Sequence, residues 1–252
     1  MYHTTGCTTE QIDFICGRLA ELVLEGNDIE YPPSLGLRRS TVIALTYLKA
    51  NRIEAELAES HGTSQPTISR AVTGITPWLK KVLAEFVPTA DELEPEKQYV
   101  FDGSLLPCWS WRCCPELYSG KHKTTGMNVQ FACTPEGELV WISDPITGNR
   151  HDSYCLRESG ALIGALDRKW IGDKGYIGLG MLTPFRKPAD RDLLDWEDKF
   201  NTQINKVRYI IERTIADFKT WRVMHTDYRR PLNTFTETIS AVIALQFFRL
   251  AW

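Results

Sequence analysis

The apolar pattern of this chain changes period near residue 98, and no other feature constrains the fold as much. Up to Phe86, apolar residues recur at helical spacing. Ile12, Ile15, Cys16, Leu19, Leu22 and Val23 predict a helix over 8–26, capped by Thr8 or Thr9 and ended at Gly26. Val42, Leu45, Leu48, Ile53 and Leu57 predict a second helical region over 39–59. A helix from Ile53 should end near Ser60, with Gly62 in the turn, Ser64 as the next cap and Pro66 in the first turn of a new helix. That is the grammar of a helix-turn-helix, whose second helix would offer Gln65, Thr67, Ser69 and Arg70 to DNA. A further helix is expected near Trp78–Phe86.

Pro88–Lys97 is acidic and carries two prolines, which reads as a linker. The expected organisation is a helical domain over 1–88, a linker over 89–98 and a second domain over 99–252. Past the linker the pattern turns to strands. Gln98–Phe101 is a short β-type run leading into Asp102. Met127–Cys133 and Leu139–Ser143 flank Thr134-Pro135-Glu136-Gly137, a hairpin turn. Asp152–Leu166 reads as a helix, Lys169–Ile171 as a strand running into Gly172-Asp173, 177–199 as irregular, and 200–221 and 235–250 as helices. This order fits an α/β (α+β) mixed sheet flanked by helices.

Composition narrows the class. Of 252 residues, 43% are hydrophobic and 24% charged, the balance of a globular chain. No run is long and apolar enough to span a bilayer, and the N-terminus lacks a signal-peptide pattern, so an intracellular, cytoplasmic protein is expected. Seven cysteines (Cys7, Cys16, Cys108, Cys113, Cys114, Cys133, Cys155) include no Cys-x-x-Cys pair, which argues for reduced thiols rather than zinc ligands. The net charge of −3 requires any DNA surface to be local. Residues 199–230 supply such a basic region, with Lys199, Lys206, Arg208, Arg213, Lys219, Arg222, Arg229 and Arg230.

Three acids stand at informative places. Asp102 and Asp173 each follow a strand, and Glu212 lies in a long helix. Three carboxylates from separate elements suit hard divalent cations, and two such ions can drive phosphodiester chemistry. On the Glu212 helix, Asn205, Arg208, Glu212, Ile215, Lys219 and Arg222 share one stripe. That stripe is either solvated, with Arg208 pairing Glu212, or turned toward metal and phosphate.

The segments FDGS (101–104), DPITGNRHD (144–152), IGDKGY (171–176) and NKVRYIIERTIADFKTWRV (205–223), in this order, resemble the DDE transposases. The likeness is nearest to the insertion-sequence-five family and Harbinger-type endonucleases. It implies an RNase H-like fold, two Mg²⁺ or Mn²⁺ ions on Asp102, Asp173 and Glu212, and cleavage plus strand transfer at transposon ends. It also implies a DNA-associated protein that pairs with double-stranded transposon ends and target DNA and works as a homo-oligomer. Arg208, Lys219 and Arg222 fall to DNA phosphate, as does Lys121 within the YSGKHK stretch that also holds Tyr118 and His122. Tyr176 would help hold DNA. His151 and Asp152 match an accessory Gly-x-x-His-Asp element, and Asp144 and Asp152 are alternative metal carboxylates. Two other classes compete: a catalytically silent DNA-binding descendant, and a metal-dependent nuclease without strand transfer.

Overall fold

A computed structural model describes residues 2–109, 114–163 and 169–252. Its helices are α1 (Tyr2–Thr5), α2 (Thr9–Leu24), α3 (Gly36–Ala50), α4 (Glu54–His61), α5 (Gln65–Val82), α6 (Asp152–Glu158), α7 (Asp195–Phe218) and α8 (Phe235–Ala251). The strands are β1 (Val100–Pro107), β2 (Tyr118–Ser119), β3 (Thr124–Cys133), β4 (Leu139–Ile142) and β5 (Ile146–Thr147). The chain divides into two compact units, one of residues 1–87 with 219–252 and one of residues 88–218.

The helical unit is built from α1–α5 and α8. Thr8 caps α2 in a reciprocal box: its hydroxyl accepts from the Gln11 amide at 3.3 Å, and the Gln11 side chain accepts from the Thr8 N–H at 2.8 Å. The helical region expected over 39–59 is two helices. Asn51 takes a left-handed conformation (φ 47°) that ends α3, and α4 starts at Glu54. Gly62 (φ 59°) makes the turn into α5. The separate helix expected near Trp78–Phe86 does not form. α5 continues through Pro77 to Val82, because its apolar stripe of Ile68, Ala71, Val72, Ile75 and Leu79 stays buried along the whole length. The loop before α3 approaches α5 so closely that a Cβ at Gly74 would sit 1.6 Å from the Glu30 carbonyl oxygen.

The C-terminal segment departs from the expected domain division. α8 packs against α5, so residues 219–252 complete the helical core rather than extending the sheet domain. Phe14, Phe86, Phe248 and Trp252 form an aromatic cluster there, and the buried Trp221 indole donates to Gln246 Oε1 at 3.0 Å.

The second unit is a five-stranded antiparallel sheet centred on β3. β1 pairs along one edge of β3, from Val100↔Cys133 to Pro107↔Gly126. β4, β5 and β2 share the other edge. Beyond β1, Ile171 and then Leu182 add single parallel bridges. Those bridges are single because Gly172 and Asp173 turn the chain away at once, so the strand expected over 169–171 is one paired residue. The predicted hairpin turn holds, with Gly137 at φ 96° and its N–H donating to the Thr134 carbonyl.

Strand alternation splits the sheet into two faces. Asp102 opposite Phe131 lies on the face covered by α7, where Phe131 meets Phe218 with ring centroids 5.2 Å apart. Phe101 and Ala132 point the other way, into a core with Leu156 of α6, Trp141, Trp170 and Tyr176. The acidic stretch expected as a linker belongs to this unit, because Leu93 is buried in the same core. The helix expected over 152–166 ends at Glu158, with Gly160 at φ 79°; residues 164–166 lie outside the described residues.

Candidate active site

β1 does not stop before Asp102. It runs on to Pro107, because Leu105 and Leu106 are buried and paired with β3. Asp102 is therefore a mid-strand residue, held by ladder bonds on both sides, which suits a rigid anchor better than a loop does. The Phe101 N–H donates to the Ile171 carbonyl at 2.8 Å, so the segment that leads into Asp173 lies directly beside Asp102. Asp173 itself caps a 3₁₀ turn, Lys174–Tyr176, and its Oδ1 accepts from the Gly175 N–H at 2.7 Å.

The Asp102 carboxyl is pushed up to about 6. Burial is the largest cause. The Arg208 guanidinium opposes it, while the charges of Asp173 and Asp152 add to it. The site thus concentrates negative charge in a partly dehydrated place. Arg208 Nη2 stands 3.4 Å from Asp102 Oδ2 in a half-buried ion pair, and its Nε is buried without a hydrogen-bond partner among the described residues. Of the two readings of the α7 stripe, pairing with Glu212 is thus the one not observed: Arg208 turns to Asp102.

Asp152 opens α6 and is buried, at 9% exposure. Its Oδ1 accepts from Asn128 Nδ2 at 2.8 Å and its Oδ2 from Lys121 Nζ at 2.9 Å. Burial alone would raise its pKa, but the hydrogen bonds from Asn128 and Lys121 and the lysine charge outweigh it and hold the carboxyl below the usual range. Burial pulls the Lys121 ammonium down, and Asp152, Asp173 and Asp102 together lift it above its ordinary value. Lys121 therefore sits in the joint field of all three acids.

The other expected site residues fare differently. Glu212 is exposed on α7 and is not among the charges that act most on Asp102. No three Asp, Glu, His or Cys side chains converge to hold a metal ion among the described residues. Tyr176 is fully buried: its hydroxyl donates to Gln130 Oε1 at 2.6 Å, so the expected contact with DNA gives way to a structural role. Lys219 and Arg222 do not continue the Glu212 stripe, because α7 ends at Phe218. Lys219 is half-buried, and Arg222 is exposed at the start of a 3₁₀ turn. His151 is the exposed residue preceding α6, and Asp144 is exposed.

In the helical unit, Gln65 and Arg70 are exposed on α5, with Thr67 and Ser69 half-exposed. Gln65 Nε2 is already engaged by Glu54 Oε2 at 2.5 Å, and Thr67 shares a bond with the Ser64 hydroxyl at 2.9 Å. Cys7 and Cys155 are pushed up to about 12 and Cys133 to about 11 by burial, which leaves them inert as nucleophiles. Cys113 lies outside the described residues. Asn128 and Gln130 were missed in the sequence reading. Their signal is two amides at i and i+2 on one face of an otherwise apolar strand.

The sheet unit thus brings two neighbouring acids, Asp102 in β1 and Asp173 in the adjacent turn, together with the charges of Lys121 and Arg208. The DDE superfamily endonuclease family matches residues 113–246, just over half of the chain, and the chain belongs to that family. It is an enzyme of the DDE nuclease or transposase type. One relative, a putative transposase for insertion sequence element IS112 of Streptomyces albus G, is 26% identical over 201 residues, covering 77% of this chain and 73% of the relative. Another, a probable transposase for insertion sequence element IS702 of Microchaete diplosiphon, is 21% identical over 229 residues, covering 87% and 83%. No solved structure gives a significant match. Among the described residues, no helix is long and apolar enough to cross a membrane.

Proposed function

We propose that this chain is a transposase that cuts and joins DNA at the terminal inverted repeats of its element. The observation that carries this reading is the pairing of Ile171 with β1, which brings Asp102 and Asp173 into one electrostatic site beside Arg208 and Lys121. The sheet order β4–β3–β1, with Ile171 and Leu182 added in parallel beyond β1, supports an RNase H-like fold. The ordered motifs support kinship with the insertion-sequence-five and Harbinger-type enzymes.

The donor set fits a hard divalent cation. Asp102 and Asp173 offer carboxylate oxygens, and the Asp173 charge that adds to the effect of burial on Asp102 would be offset by a cation. Asp102 and Asp173 would hold Mg²⁺ or Mn²⁺, two ions in all, and Glu212, exposed on α7 and not clustered with them in this structure, would have to move in as the third ligand. Bound there, the ions would lower the pKa of the attacking water or 3′-hydroxyl and stabilise the leaving oxygen. The chain's own residues do the positioning. Lys121 and Arg208 bind the non-bridging oxygens of the reacting phosphate through charge-assisted hydrogen bonds. β1 keeps Asp102 fixed while the phosphate is oriented. No protein nucleophile enters, so one site serves hydrolysis and then strand transfer to target DNA. In the helical unit, α4 and α5 act as a helix-turn-helix that holds the DNA end through Gln65, Thr67, Ser69 and Arg70. Lys219 and Arg222 meet backbone phosphates, and the active form is a homo-oligomer that pairs two ends.

The test is a cleavage assay on end-bearing duplex with Mg²⁺, comparing wild type with Asp173→Ala and Glu212→Ala. Metal-dependent nicking lost in both variants is the expected result. DNA binding without cleavage by the wild type would point to a silent descendant. Cleavage without joined products would point to a nuclease.

A further inference from the structure

A chain of buried hydrogen bonds runs from the turn that carries Asp173 to Lys121. Tyr176 Oη donates to Gln130 Oε1 at 2.6 Å, Gln130 Nε2 to Asn128 Oδ1 at 2.7 Å, and Asn128 Nδ2 to Asp152 Oδ1 at 2.8 Å. Lys121 Nζ closes the chain on Asp152 Oδ2 at 2.9 Å. Tyr176 and Gln130 are fully buried, and Asn128 and Asp152 are 6% and 9% exposed. The direction is forced by chemistry. An ionised carboxylate only accepts, so Asn128 must present its amide nitrogen to Asp152. Its oxygen then faces the Gln130 nitrogen, and the Gln130 oxygen faces the tyrosine hydroxyl. Every donor points toward Asp152.

The surroundings hold this order. A Cβ at Gly103 would lie 2.3 Å from Asp152 Oδ1 and 2.7 Å from Gln130 Nε2. The residue after Asp102 is thus glycine because the network packs directly against it. Tyr176 closes the 3₁₀ turn that Asp173 caps. Each oxygen of Asp152 already accepts a bond, one from Asn128 and one from Lys121, and the Lys121 ammonium beside it competes with a cation.

We infer that Asp152, oriented by Asn128, Gln130 and Tyr176, is a positioning residue that fixes the Lys121 ammonium for the reacting DNA phosphate and ties it to the turn bearing Asp173. The inference rests on the transposase reading above. A lysine is a flexible point charge, and its value at a reacting phosphate depends on being held. Asp152 holds it, and the buried amides hold Asp152.

The experiment uses the full chain and end-bearing duplex, with kcat, KM for DNA and the Mg²⁺ concentration for half-maximal rate measured for each variant. Lys121→Met and Asp152→Asn should each lower kcat by about 100-fold with KM unchanged. The double variant should be no slower than either single one, because the two residues act as a unit. Tyr176→Phe, which removes only the first donor, should lower kcat by about 10-fold. Lys121→Arg should recover part of the Lys121→Met loss. The Mg²⁺ requirement and the binding isotherm for non-reactive Ca²⁺ should stay within about twofold of wild type in all of them. A raised Mg²⁺ requirement or weakened Ca²⁺ binding in Asp152→Asn would make Asp152 a ligand and overturn the inference. Multiplicative losses in the double variant would overturn it too. Lys121 is exposed and Tyr176→Phe is nearly isosteric, so these two variants decide the matter even if Asp152→Asn does not fold. A wild type without metal-dependent cleavage overturns the transposase reading and this inference together, whereas a cleaving wild type with unaffected Lys121→Met and Tyr176→Phe overturns this inference alone.

Discussion

The candidate functional residues of the two units are set in opposite ways. In the sheet unit, Asp152, Asn128, Gln130 and Tyr176 are buried and bonded to one another, and Asp102 is half-buried against Arg208. In the helical unit, Gln65 and Arg70 of α5 are exposed and Thr67 and Ser69 half-exposed, and bonds such as Gln65 to Glu54 lie at the surface. A buried polar network is costly unless every member is satisfied, and once satisfied it fixes geometry. An exposed polar face is cheap and adaptable. The contrast is the one expected if, as proposed above, the first set is a preorganised site for chemistry and the second a compliant surface for holding DNA.

The sharpest way to break this comparison is to separate turnover from affinity. Asp173→Ala should lower cleavage by about 1000-fold or more with DNA affinity kept. Arg70→Ala should weaken DNA binding modestly and reduce its salt dependence by the equivalent of about one phosphate contact, with kcat kept. Gel-shift titrations at two salt concentrations, run beside the cleavage assay, would show whether the two effects are confined to their own units.

Next in size is the glycine that abuts the buried network. Gly103→Ala should destabilise the protein by about 1–3 kcal/mol through overpacking against Asp152 and Gln130, seen as a lower Tm. An unchanged Tm would mean the network yields easily, and the claim of preorganisation would fall.

Glu197, near the start of α7, offers a pH test. It is buried at 5% exposure. It accepts two bonds from Arg191, at 2.8 and 2.9 Å, and one from the Leu194 N–H at 2.8 Å. The Arg191 bonds first, then the Leu194 amide, hold its carboxyl down at about 2. A depressed carboxylate pKa contributes stability that is present above the unfolded value of about 4.3 and is lost as pH falls through the folded one. Glu197→Gln should lower Tm at pH 7, and the gap to wild type should close between about pH 4 and pH 2. A gap independent of pH would show that packing, not charge, holds the start of α7.

The smallest effect is expected in the helical unit. Gly17 is exposed within α2, and a Cβ there would meet nothing within 4 Å. Gly17→Ala should stabilise by about 0.5–1 kcal/mol, visible as a small rise in Tm.

Local signals in the sequence account for much of the architecture. Thr8 and Gln11 announce α2, Gly62 marks the α4–α5 turn, and Thr134–Gly137 marks the β3–β4 hairpin. Each works within a few residues of itself, through capping, positive φ or a turn bond. Ser64, expected as the cap of α5, makes no side-chain cap bond and pairs with the Thr67 hydroxyl instead. Asp102 and Asp173 stand out in the sequence through the motifs that hold them, and the structure brings their segments together; Asp102 reads as a strand end because Gly103 interrupts the β pattern. The early start of α7 was hidden, since Arg191 and Leu194 lie before the helix and act only once it has formed.

By itself, then, the chain's sequence determined the capped start of α2, the α4–α5 turn, the β3–β4 hairpin and membership of the DDE endonuclease superfamily, because all of these rest on short-range patterns. Only the tertiary structure decided that residues 219–252 complete the helical core, that Arg208 turns to Asp102 rather than Glu212, that Tyr176 is an interior donor and that Asp152 holds Lys121. Those outcomes join residues up to about a hundred positions or more apart, as in the Arg208–Asp102 pair. They depend on which groups burial strips of water and so obliges to find one another.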